Sequence, residues 1–135
     1  MQRRHRNWLT MFFALGILLP HCDSFGAEKK IAFMAGRASH GYGSHEHFAG
    51  CKLLAAAIEQ ALPEYETVVF QDGWPEDPNA FEDADVVVMY CDGGGRHPVN
   101  QHLDQLDQLA DQGVGVVCIH YGVEVPKGES CEHFL

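Results

Sequence analysis

What this chain has little of narrows its function first. It has nine Lys and Arg against 19 Asp and Glu. Three of those arginines and Asp23 fall in the first 27 residues, so residues 28–135 hold six basic and 18 acidic side chains, a formal charge of −12. A surface that acidic repels nucleic acid and anionic lipid and suits a neutral ligand or a bound cation. No Cys-x-x-Cys occurs, and four cysteines spread over residues 28–135 are not the spacing of a disulfide-held miniprotein. Cys91 and Cys118 could pair across neighbouring strands, but buried free thiols are the expectation. No internal repeat and no low-complexity tract is present. The longest apolar run, Trp8 to Leu19, is 12 residues, too short to span a bilayer comfortably.

That run has a different meaning. Arg3, Arg4 and Arg6 precede it, Pro20 follows it, and Ser24-Phe-Gly26 offers small residues before Ala27. Basic, apolar and small segments in that order read as a signal peptide over residues 1–27. Export to the periplasm or the medium is expected, with no stable membrane anchor after cleavage.

The remainder alternates strand and helix signals. Lys30 to Gly36, Tyr65 to Phe70, Ala84 to Cys91 and Val114 to Ile119 read as strands, and Val86-Val-Val-Met89 predicts burial on both faces. Phe48 to Leu62 carries Cys51, Leu54, Ala55, Ile58 and Leu62 at helical spacing and stops at Pro63. His102 to Gln112 places Leu103, Leu106, Leu109 and Ala110 on one face, with Gly113 as its cap. Asn79 to Glu82 is expected to form at most one turn. This alternation predicts an α/β fold: a flavodoxin-like parallel sheet of order 2-1-3-4 with helices on both faces. Pro126 to Leu135 looks like a loop entering a helix with no strand after it. A truncated domain is therefore expected, whose fourth strand is an apolar edge open to self-association.

In such a sheet, ligands bind at the carboxyl ends of the strands. Three strand ends here open into histidine-bearing turns: Ser39-His-Gly-Tyr-Gly-Ser-His-Glu-His47, Asp92-Gly-Gly-Gly-Arg-His97 and His120-Tyr-Gly-Val-Glu124. His45, His47, His97 and His120 are candidate ligands of a divalent metal, zinc first, because imidazoles with a carboxylate suit that ion. His120 is also the candidate general base, with Glu124 to orient it. His40, Tyr42, Asp92, Gly93, Gly94 and Trp74 are candidate substrate contacts. The glycines would let backbone approach a ligand, and Trp74 would stack on a sugar face. Each has a plainer alternative: His45 or His47 capping the first helix, the glycines a tight turn, Trp74 packing its own loop. His102 and His133 read as ordinary surface positions. The triple glycine is not a phosphate loop, since no Lys-Ser/Thr follows it.

Together with Asp72-Gly-Trp-Pro75, these turns resemble the trehalose-utilisation (ThuA-like) family across residues 29–135. The resemblance implies a class I glutamine amidotransferase-like fold and a small-molecule carbohydrate as partner, a sugar or oxidised sugar that is bound or processed; no nucleic-acid partner is expected of so acidic a chain. One departure from the glutaminases is clear. They carry a nucleophilic Cys on a Gly-x-Cys-x-Gly elbow, whereas Cys118-Ile-His-Tyr-Gly122 places His120 there and Cys118 back in the strand. Glutamine hydrolysis is not expected. A hydrolase, lyase or isomerase acting on keto-sugars, a non-catalytic sugar-binding or interaction module, and an inactive truncated fragment all remain open.

Overall fold

The computed structural model describes residues 29–134; the expected signal peptide lies outside them. Four strands, β1 (Lys29–Ala35), β2 (Tyr65–Phe70), β3 (Val86–Tyr90) and β4 (Gly115–Ile119), form one sheet in the order β2-β1-β3-β4. Every neighbouring pair is parallel. Helix α1 (His47–Ala61) and helix α2 (Leu103–Asp111) cover opposite faces, and a short α3 (Glu129–His133) follows β4. This is the α/β, flavodoxin-like arrangement that the strand–helix alternation predicts.

The period-2 geometry of β1 and β3 builds two cores at once. Phe33, Ala35 and Val88 face Cys51 and Ala55 of α1. Ala32, Met34, Val87 and Met89 face Leu103, Leu106 and Leu109 of α2. No helix forms between β2 and β3. Instead, hydrogen-bonded turns such as Glu82 N–H to the Asn79 carbonyl (3.0 Å) drop Phe81 into the second core, where it meets Phe70 and Trp74 edge-on.

Two expectations about faces need correction. The buried stripe of α1 is His47, Cys51 and Ala55, with Ile58 packed beside it, while Leu54 and Leu62 are exposed. Periodicity alone admitted both stripes; Gly50 selects this one, because an added Cβ there would lie 2.6 Å from the Tyr90 ring. On α2, Ala110 also faces solvent. Gly113 caps α2 as expected, at φ +85, its N–H bonding the Ala110 carbonyl. Strand β4 pairs only with β3 and leaves Val116 and Val117 exposed. No helix of the described residues is long and apolar enough to cross a membrane.

Candidate functional site

All four strand ends point the same way, so the turns after β1, β3 and β4 converge on one rim. His45 sits at its centre. Its ring lies 4.2 Å from that of His40, 5.6 Å from His47, 5.4 Å from His120 and 5.6 Å from Tyr121, between centroids. Its Nδ1 is 2.9 Å from Asp92 Oδ1 and 3.1 Å from Ser39 Oγ. Ring nitrogens of His40 and His45 and a carboxylate oxygen of Asp92 lie within 4.8 Å of one another, a group that could hold a metal ion.

His47 adds the most informative atom. Its side chain is 1% exposed. Its Nδ1 lies 3.1 Å from the Arg37 carbonyl and donates to it, since a carbonyl can only accept. In the neutral ring Nε2 then carries a lone pair. That atom is buried without a hydrogen-bond partner, the one such side-chain atom among the described residues, and stands 3.8 Å from Asp92 Oδ1. Leaving such an acceptor unsatisfied costs about 1–3 kcal/mol. A backbone carbonyl fixing one nitrogen while the other offers its lone pair is the usual setting of a metal-ligating histidine.

Asp92 joins the histidines electrostatically. Burial acts to raise its carboxyl pKa, but hydrogen bonds from Ser39 and His45, with His47 and Arg96 nearby, outweigh it and hold the group below the ordinary carboxylate range. Arg96 Nη2 is 3.9 Å from Asp92 Oδ2, a loose pair whose arginine is largely exposed.

The backbone is strained on this rim. His40, His45, Asp72 and His120 have φ of 64, 49, 67 and 58, and they are the non-glycine residues in that region among those described. Each such residue costs on the order of 1–3 kcal/mol. At His120 the strain makes the elbow: β4 ends at Ile119 and turns sharply into a 3-10 turn, His120–Val123, leaving the imidazole exposed. Neither His120 nitrogen makes a hydrogen bond among the described residues. Gly122 is required there, since its Cβ would lie 2.8 Å from the Met89 carbonyl.

Other candidates take different places. His97, read as a metal ligand, is a structural tie. It is 2% exposed, its Nε2 lies 3.0 Å from the Gly122 carbonyl and its Nδ1 accepts from Val99 N–H at 3.2 Å. Both nitrogens are used, so no lone pair is left for a cation. Burial lowers its pKa, partly opposed by the Gly122 bond. Gly93 is also structural: an added Cβ would lie 2.5 Å from the Tyr121 carbonyl and 2.6 Å from Glu124 Cβ. Gly94, at φ +61, donates its N–H to the Glu124 carbonyl at 2.6 Å. These glycines let the β3 turn lie against the β4 elbow and so fix Asp92 relative to His120. No hydrogen bond joins the Glu124 carboxylate to His120 among the described residues. Tyr42 is fully exposed and touches nothing in the cluster. The four described cysteines are free; Cys118 packs into the α2-side core, and burial raises its pKa.

Beside the cluster opens a cleft of about 540 Å³. Ser39 and Asp92 belong to both. Trp74 lines its far wall, its indole N–H bonded to Gln105 Oε1 at 2.8 Å and its ring stacked on His102 at 5.2 Å and 7°. His102 is therefore a cleft residue, not the surface position its sequence context implied; nothing in its local pattern announces a partner 28 positions away. His133 pairs with Asp107 at 2.7 Å and ties α3 to α2. Compared with known proteins, the chain matches no family model, no curated protein and no solved structure.

Proposed function

We propose that this chain is an exported ThuA-like protein of carbohydrate metabolism that binds a sugar or oxidised sugar at the histidine rim with the help of a divalent cation, zinc foremost. The observation that carries the metal part is the His40–His45–Asp92 group, with the buried lone pair of His47 Nε2 beside Asp92. The residues fit the ion. Two imidazoles and a carboxylate are a common zinc set: His40, His45 and Asp92 lie close enough together to share one ion, and His47 Nε2, 3.8 Å from Asp92 Oδ1, is a further donor beside them. Ligands at roughly 2.0–2.2 Å from zinc stand about 3.4 Å apart. His45 Nδ1 and Asp92 Oδ1, hydrogen-bonded at 2.9 Å, would both be available to the ion once the His45 proton is released to solvent. When bound, the cation supplies a Lewis acid that polarises a carbonyl or hydroxyl oxygen.

The protein's own groups do the rest. Arg37 holds the His47 tautomer through its carbonyl. Ser39 and Asp92 bridge cluster and cleft and orient hydroxyls. His120, exposed on the elbow with its nitrogens unengaged, takes the proton from a carbon next to a carbonyl. The resemblance of the four turns to the ThuA-like family supports the carbohydrate class.

A second reading, a non-catalytic sugar-binding module, is favoured by one observation: among the described residues no carboxylate is hydrogen-bonded to His120. Hydrogen exchange separates the two. The full chain with one equivalent of zinc is incubated with a keto-hexose in deuterated water and followed by NMR. Enzymatic function predicts loss of the signal next to the carbonyl, abolished in His120→Ala while zinc affinity is kept. Sugar binding without any exchange would leave the module reading and end the catalytic one.

A further inference from the structure

The cleft beside the cluster has a charge distribution that the acidic chain does not share. Among the described residues there are two arginines, Arg37 and Arg96, and both line it together with Asp72 and Asp92, so the cleft is formally neutral where the chain is acidic; none of the four lysines lines it. On a body of formal charge −12 over residues 28–135, long-range attraction of an anion is absent. An anion could be held only where cations outweigh carboxylates locally, and the two guanidiniums of this cleft meet that condition once Asp92 is bound to a cation.

We infer that this cleft takes the anionic group of an acidic sugar, held by Arg37 and Arg96, with the hydroxylated end of the molecule turned toward the histidine cluster. The volume falls within the range of small-molecule sites, roughly 300–1,000 Å³. Arg37 is steadied through Nε by the Asp72 carbonyl at 3.3 Å, which leaves its two terminal nitrogens for a ligand. The Asp72 backbone is strained at φ 67, and Gly73 N–H ties the same turn to the Ala35 carbonyl at 2.8 Å, so the anchor of Arg37 is rigid. Arg96 is only loosely paired to Asp92. With Asp92 committed to a cation, Arg96 is released to the ligand; here the inference rests on the function proposed above. Guanidinium forks match a carboxylate or a phosphate in two parallel hydrogen bonds. The clamped Trp74 ring supplies an apolar wall for the carbon face of a sugar.

Calorimetric titration of the full chain with one equivalent of zinc tests this, using glucuronate, glucose 6-phosphate and glucose. An anionic sugar is expected to bind at least about tenfold more tightly than glucose, the scale of one charge-assisted bond. Whichever of the two binds more tightly identifies carboxylate or phosphate as the group recognised. Arg37→Gln and Arg96→Gln, both at exposed positions, should each remove most of the preference without changing the unfolding temperature. Equal affinity for all three sugars, or a preference that survives both substitutions together, overturns the inference. Zinc affinity measured in parallel separates the two proposals. Zinc binding without anion preference defeats the cleft assignment alone, and an arginine-dependent preference without zinc binding upholds it while defeating the metal.

Discussion

Replacing His47 by Leu is the sharpest perturbation of the rim. In the metal-free protein two effects oppose. The substitution removes the hydrogen bond to the Arg37 carbonyl, worth about 0.5–1.5 kcal/mol net, and also removes a buried acceptor whose desolvation costs about 1–3 kcal/mol. The metal-free variant should therefore unfold within about 2 kcal/mol of the natural protein. Zinc changes the comparison. At a free concentration one hundred times its Kd, a ligand bound only by the native state stabilises by about 2.7 kcal/mol. For a domain of this size each kcal/mol moves Tm by roughly 4–8 °C, so the natural protein should shift by roughly 10–20 °C. His47→Leu should shift by a small fraction of that. Thermal unfolding by circular dichroism, with chelator and then with zinc, gives both numbers. A full zinc shift in His47→Leu, or none in the natural protein, would refute the assignment of Nε2 as a ligand.

Two further outcomes follow from the same geometry. Gly93→Ala should destabilise by about 1–3 kcal/mol or more in denaturant titration, because its Cβ meets backbone that cannot move aside; a neutral result would return Gly93 to the role of a ligand-approach glycine. Buried, neutral His97 has a depressed pKa, so the unfolded chain takes the proton first. Its stabilising contribution is complete above the ordinary histidine value of about 6.5 and is lost as pH falls below it toward the folded-state pKa. Denaturant midpoints at pH 7.5 and 5.5 should therefore fall with acidity, with a shallower fall in His97→Gln; an unchanged slope in that variant would place the acid sensitivity elsewhere.

Much of the architecture is determined locally and was legible for that reason. Val86-Val-Val-Met89 announces a strand buried on both faces, Gly113 announces a helix end, and strand–helix alternation with right-handed crossovers leaves few sheet orders. The topology in turn brings the turns after β1, β3 and β4 to one rim, which is why His45, His47, His120 and Asp92 could be grouped from the sequence. What each histidine does there was not legible. Residue type and a position in a turn are the same for His47 and His97. Only the tertiary contacts separate them: the Arg37 carbonyl uses one nitrogen of His47 and leaves the other bare, whereas Gly122 and Val99 use both nitrogens of His97. The glycines of the β3 turn likewise look alike in sequence until the β4 elbow is laid against Gly93. Local sequence determines which side chains can reach the rim, because strand direction and turn position depend on near neighbours. The lone pairs left free there depend on carbonyls and N–H groups that arrive from distant segments, and only the folded chain decides those.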